Sequence, residues 1–324
     1  MMTRSASGSG SQGGQELIKV SAARRRNMER GNADLRRWIG DLLEVGLWHL
    51  PEREESVRKI AERLVDAQMG SIAKRLRMAF DAIDGDADWA EEWLSLLGVL
   101  THFTNLFEKL DELPPLLKAD VWQFAGVYMK KKDVLALPPV QDHWIVLGEH
   151  IQSEERLLAR RTWLFGLRSR RWGMLLDYGM NKKDLPKVPP VGCKWKSSLC
   201  FYPSATGFRA LMANSESFDF WKGGELGFQD WNAFFKYEHS LTMKNPLMEI
   251  FPCLIRDVEP VQGETSIELI DQEGTSIPIS EINILNAEWK ALVAGGPLTI
   301  FGEVHQQRFK PWSVYTQNRV IPVN

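Results

Sequence analysis

The sequence predicts an α+β protein: a helical N-terminal domain, then a β-rich antiparallel sheet or small barrel with helical insertions. Three observations carry this. In Ser56–Phe80, Ile60, Leu64 and Ala67, then Ile72, Leu76 and Phe80, recur at helical spacing with charged residues opposite. That pattern reads as two amphipathic helices broken at Met69-Gly70-Ser71. From Asp142 onward the apolar period is two, beginning with the strand His143–Gly148. Pro138-Pro139 stands where the period changes. The expected organisation is a disordered Gly/Ser-rich tail over 1–14, a helical domain over 15–137 and a β-rich domain over 140–324.

Gln15 to Leu50 reads as helical, with Leu35, Trp38, Ile39, Leu42, Leu43 and Leu47 on one stripe. Pro51 closes it, because proline lacks the amide that the next turn needs. Asp84-Gly85-Asp86 is a turn, and Asp86 or Asp88 can cap a helix over Trp89–Leu113 by accepting orphan backbone amides. Pro114-Pro115 ends that helix, and Leu116–Tyr128 is the next. Lys130-Lys131-Lys132 at its end suits the negative pole of the helix dipole.

Strands are expected at 157–167 and 172–178, with a hairpin of 199–202 and 208–212. An insertion follows, with aromatic Phe218–Trp221 and a helix over Phe228–Leu241. Strands resume at 247–256, 266–270, 276–279, 297–304, 308–315 and 319–323, with one short helix over Glu288–Ala294.

A length of 324 residues fits about two domains of roughly 150 residues each. The formal net charge of -2 gives no global pull towards nucleic acid or a membrane surface. No apolar run approaches the ~20 residues that span a bilayer, so no membrane association is expected. Residues 1–14 lack the apolar core of a secretory signal. Three widely spaced cysteines argue against a disulfide framework and fit a reducing cytoplasm. Thirteen Trp are many for this length, and Trp serves as a core or interface anchor.

Chemistry-bearing motifs are sparse. Cys193, Cys200 and Cys253 form no Cys-x-Cys or Cys-x-x-Cys pair, and the six His are dispersed, so no metal ligand is assigned. Cys200 and His102 read as core residues. Gly223-Gly224 and Gly295-Gly296 lack a phosphate-loop signature and read as turns. No Gly-x-Ser-x-Gly elbow is present, and paired carboxylates such as Glu54-Glu55 sit in polar stretches without tuned acidity. The expectation is a protein that is not an enzyme, with no catalytic residue and no cofactor.

Two basic clusters are the candidate binding residues. Arg24, Arg25 and Arg26 lead a basic helix start, which reads as a solvated face or as a contact to an acidic partner or nucleic acid. Arg156, Arg160, Arg161, Arg168, Arg170 and Arg171 interleave with Trp163, Phe165 and Trp172. Positive charge with stacking aromatics grips single-stranded nucleic acid on barrels. In an alternating strand the same residues place aromatics in the core and arginines in water, where charge also blunts a sheet edge. The solvated-strand reading is preferred.

Several stretches resemble the bacterial SWIM zinc-finger proteins, in the region that follows their finger. They are Leu35-Arg36-Arg37-Trp38-Ile39-Gly40-Asp41-Leu42-Leu43, Ala61-Glu62-Arg63-Leu64-Val65-Asp66-Ala67-Gln68, Arg161-Thr162-Trp163-Leu164-Phe165-Gly166, Phe201-Tyr202-Pro203, Pro297-Leu298-Thr299-Ile300-Phe301-Gly302-Glu303 and Arg319-Val320-Ile321-Pro322. The Cys-x-Cys and Cys-x-His of the finger are missing, so the family's zinc and DNA binding transfer to no residue here. The resemblance implies a non-catalytic cytoplasmic adaptor or scaffold. Its implied partners are a MoxR-class AAA+ ATPase, a von Willebrand A-type protein, or a separate finger-bearing polypeptide. Nucleic acid bound by the basic hairpin and basic helix is the alternative.

Overall fold

The structure, a computed structural model, describes residues 16–83, 89–154, 157–221, 226–262, 267–280, 296–315 and 320–323. The expected tail, the Asp84-Gly85-Asp86 turn with its Asp86 or Asp88 cap, the Gly223-Gly224 turn, the 288–294 helix and Arg156 lie outside the described residues. The chain divides into two compact units, Met1–Met129 and Lys130–Asn324.

The first unit is helical. Helix α1 spans Ala22–Val45, with Ser21 Oγ accepting the Arg24 amide at its start. It is shorter than the sequence suggests, because Gly46 at φ 97° ends it before Pro51 is reached. Leu43, expected on the buried stripe, is exposed, while Leu35, Ile39 and Leu42 are buried. Helices α2 (Glu54–Asp66) and α3 (Gly70–Asp81) flank a turn in which Gln68 takes φ 63°. Their buried stripes are Val57, Ile60 and Leu64, then Ile72 and Leu76. A Cβ on Gly31 of α1 would lie 2.5 Å from Ala67 Cβ and 2.8 Å from Met69 Sδ, so glycine lets α1 settle on this turn.

Helix α4 (Trp89–Glu108) buries Trp93, Leu97, Leu100 and Phe103. Each such residue contributes about 1.5–3 kcal/mol of burial. His102, expected in the core, is exposed on this helix because it falls outside that stripe. Helix α5 (Pro115–Phe124) buries Trp122 and stops at the Ala125-Gly126 turn, short of Tyr128. Lys130 therefore does not finish that helix. It precedes α6 (Lys131–Val134), so the lysine run opens a helical turn of the second unit, contrary to its expected place at a C-terminus.

The second unit is β-rich, as its period predicts. Strands β1 (Val140–Glu154), β2 (Leu157–Gly166), β3 (Trp172–Gly179), β4 (Cys193–Phe201) and β5 (Arg209–Phe220) close into a barrel in the order β1-β2-β3-β5-β4. The β3–β5 seam is parallel and short, Met174↔Arg209 and Leu175↔Ala210, and the other pairings are antiparallel. Phe218 and Phe220, expected in an insertion, continue β5 opposite Trp195 and Cys193. Helix α7 (Trp231–Thr242) follows, capped by Asp230 on the Ala233 amide. A sheet of β6 (Phe251–Gln262), β7 (Ile267–Ile270), β8 (Ser276–Pro278), β9 (Leu298–His305), β10 (Arg308–Tyr315) and β11 (Val320–Pro322) has the order β11-β10-β9-β6-β7-β8.

Three apolar layers hold this unit together. Trp144, Val146, Leu164, Leu175, Trp195 and Leu199 form one cluster on the barrel strands. Ile145, Leu147 and Trp163 form a second with Phe301 and Trp312 of the sheet. Trp231 and Phe234 of α7 form a third with Ile255, Ile300 and Phe309. Neighbouring residues serve different layers: Trp144 and Ile145 on β1, Leu254 and Ile255 on β6, Ile300 and Phe301 on β9. That is the two-residue alternation of a strand buried on both sides. A Cβ on Gly148 would approach Phe301 to 2.8 Å, so the barrel strand needs glycine where the sheet presses closest. The three cysteines are free and buried, on β4 and β6. Among the described residues no helix is long and apolar enough to cross a membrane.

Candidate interaction surfaces

One arginine of the basic helix start is tied down within its own unit. Arg25 donates to both Asp111 carboxylate oxygens, at 2.9 and 2.6 Å, and to Glu29 at 3.0 Å. Hydrogen bonds from Arg25 and Lys118 hold the Asp111 carboxyl down at about 2. Arg24 is half-buried, and its Nε has no hydrogen-bond partner among the described residues. Arg26 is exposed.

The basic hairpin splits three ways. Arg160 is buried, with Nη2 donating to Asp177 at 2.7 Å and to the Pro186 carbonyl at 2.5 Å, and it also pairs with Glu149. Arg161 donates to both oxygens of buried Glu303, at 2.8 and 3.0 Å, and Trp163 Nε1 donates to the same carboxylate at 2.6 Å. Arg171 lies 3.6 Å over the Phe201 ring, and burial pushes its pKa down. Among the described residues of this set, only Arg168 and Arg170 are exposed, at the β2–β3 turn. Arg168 donates to the Gln141 carbonyl. Arg170, at φ 53°, places its guanidinium 5.1 Å over Phe165. The turn between β2 and β3 thus sends Arg170 to Phe165 and Arg171 to Phe201, which belong to different apolar layers.

Asp142 fixes this turn. Its carboxylate accepts the amides of His143 at 2.7 Å, Arg168 at 3.1 Å and Ser169 at 2.7 Å. Burial alone would push the carboxyl up, but the hydrogen bonds from Ser169, Arg168 and His143 outweigh it and hold the pKa below the usual carboxylate range. A lowered folded pKa gives stability that is complete above the unfolded value of about 3.9 and is lost as pH falls through the folded one. Asp142→Asn should therefore cost about 1–3 kcal/mol at pH 7, a cost that shrinks as pH falls below the usual carboxylate range. Urea unfolding across a series of falling pH values checks this, and a cost that does not change with pH would refute it.

Beside the turn is a cavity of about 270 Å³. Two aromatic pairs line it. Phe165 and Trp172 of the hairpin meet edge-on at 4.9 Å, and Phe228 and Tyr237 meet at 5.4 Å. Leu226, Gly227, Leu254 and Arg170 complete the lining. Gly227, at φ 104°, is held where a Cβ would meet the Leu254 carbonyl at 2.6 Å. Phe228 donates its amide to Leu254 O at 2.7 Å and accepts from the Arg256 amide at 3.0 Å, which fixes this wall to β6. Tyr237 makes no side-chain hydrogen bond among the described residues, and burial raises its pKa.

The helical unit carries a different surface. Trp48, in a 3-10 turn after α1, is 78 % exposed and meets Trp89 edge-on at 5.9 Å. Leu43 and Val45, at the end of α1, are exposed as well. Among the described residues no group of three or more His, Cys, Asp or Glu is placed to hold a metal ion.

Sequence reasoning found the hairpin half of the cavity but missed Phe228, Tyr237 and Leu254, which reach it from α7, β6 and the loop between the barrel and α7. It also missed Trp48, whose signal was a Trp two residues after a helix-ending Gly46.

Residues 23–125, the span of α1 to α5, match the SWIM-associated four-helix bundle domain. No curated protein and no solved structure matches the chain.

Proposed function

We propose that this SWIM-family-related chain is a non-catalytic adaptor that docks a protein partner on Trp48 of its SWIM-associated bundle. The observation that carries the reading is the exposure of Trp48 on an edge-on Trp89, with Leu43 and Val45 exposed in the same stretch. A large aromatic held ready at the surface costs little ordering when a partner covers it, and Trp is the residue type most enriched among binding hot spots. The resemblance of the sequence suggests the partner class: a MoxR-class AAA+ ATPase, a von Willebrand A-type protein or a finger-bearing polypeptide.

The test is purification of the tagged chain from its own cells after nuclease treatment, in native and Trp48→Ala forms. The expected result is a partner of one of those classes, bound at least ~30-fold more weakly by the variant, as befits a hot spot of about 2 kcal/mol. Trp48 is mostly exposed, so the variant should keep its melting temperature. Turnover of a substrate by the isolated chain, or a partner indifferent to Trp48→Ala, would overturn the reading. A second reading, nucleic-acid binding at the hairpin, draws on the exposed Arg168 and Arg170 beside an aromatic cavity. It expects affinity that falls steeply with salt and that survives Trp48→Ala.

A further inference from the structure

The aromatic cavity of the second unit has the composition of a small-ligand site. Its volume of about 270 Å³ lies just under the ~300 Å³ lower end of small-molecule sites, which suits one fused ring with a small substituent better than a nucleotide. The two ring pairs offer faces and edges for offset or edge-on stacking. Arg170 is the charged residue of the lining, and it has no carboxylate partner among the described residues. That sets it apart from Arg160 and Arg161 of the same hairpin, both neutralised internally. The site is also preformed. Asp142 pins the turn that carries Arg170, and the Phe228–Leu254 and Arg256–Phe228 backbone bonds pin the opposite wall.

We propose that this cavity binds a small aromatic carboxylate, with its ring among Phe165, Trp172, Phe228 and Tyr237 and its carboxylate on the Arg170 guanidinium. The planar fork of arginine matches the two carboxylate oxygens, so charge and shape select together. The Tyr237 hydroxyl, without a hydrogen-bond partner among the described residues, is available as a further donor to a polar ring substituent.

The experiment is calorimetric titration of the full chain with indole-3-carboxylate, indole-3-carboxamide and AMP. The expected result is binding of the carboxylate, about tenfold weaker binding of the carboxamide, and no binding of AMP. Arg170→Gln should weaken the carboxylate about tenfold and erase its advantage over the carboxamide, with an unchanged melting temperature because Arg170 is exposed. The proposal falls if indole-3-carboxylate does not bind, if the carboxamide binds as well as the acid, if Arg170→Gln has no effect, or if AMP is the ligand taken. The adaptor reading stands or falls separately, because its test reads Trp48 in the other unit.

Discussion

Replacing Glu303 with alanine is expected to cost about 3–5 kcal/mol, which would unfold a large share of molecules in a marginally stable domain. The carboxylate is 5 % exposed, and it gathers Arg161 from both oxygens and the Trp163 indole from one. Its removal leaves a guanidinium and an indole N–H unpaired between β2 and β9, which are 140 residues apart. Arg161 is 27 % exposed at its side chain, so water recovers part of the loss and the lower end of the range is expected. Glu303→Gln keeps the shape without the charge and should cost about 1–2 kcal/mol. Removing both ends, as Arg161→Met with Glu303→Leu, should be much milder than either single loss, because no buried charge is stranded. Urea unfolding of the wild type, Arg161→Met, Glu303→Leu and the double variant measures the cycle. A Glu303→Ala loss below about 0.5 kcal/mol would show that the pair is ornamental.

Trp231→Ala is the second large effect, at about 3–5 kcal/mol. The ring is fully buried, meets Phe234 and Phe309 edge-on at 6.0 and 5.8 Å, and donates Nε1–H to the Leu269 carbonyl at 2.9 Å. Its own amide donates to Asp271, whose carboxylate also accepts the amides of Glu273 and Thr275 in the β7–β8 turn. One residue thus fastens α7 to β7 and to the sheet face. Trp231→Phe should recover the ring packing while losing the indole bond, for a cost of about 1–2 kcal/mol. Thermal denaturation should rank the variants Trp, Phe, Ala. A phenylalanine form as damaged as the alanine form would assign the effect to the hydrogen bond alone.

The helical unit was legible because its information is local. Ile60, Leu64, Ile72 and Leu76 announce their faces by spacing, and the α2–α3 break sits beside Gly70 as expected. Helix ends were less so. Gly46 stops α1 through a positive φ that composition does not advertise, and Pro51 drew attention away from it. In the second unit the strands were legible from their two-residue period, but their pairing was not. Barrel closure rests on Met174↔Arg209 and Leu175↔Ala210, a register set by distant packing. Arg161 shows the limit for sites. Its place in an alternating strand suggests a solvated cation, yet its partner Glu303 comes from the other end of the unit and converts it into an internal tie. Arg170 differs only because no such partner reaches the turn among the described residues.

The three unpaired thiols give the fold a built-in clock. Cys193 and Cys200 lie on a barrel strand and Cys253 on a central strand of the sheet, and burial pushes all three pKa values up. A thiol that is both hidden and protonated reacts with an alkylating reagent only while its strand is open. The rate at which each sulfur is labelled therefore times the breathing of its own strand. Barrel and sheet can be followed separately in one sample, with no label added to the chain.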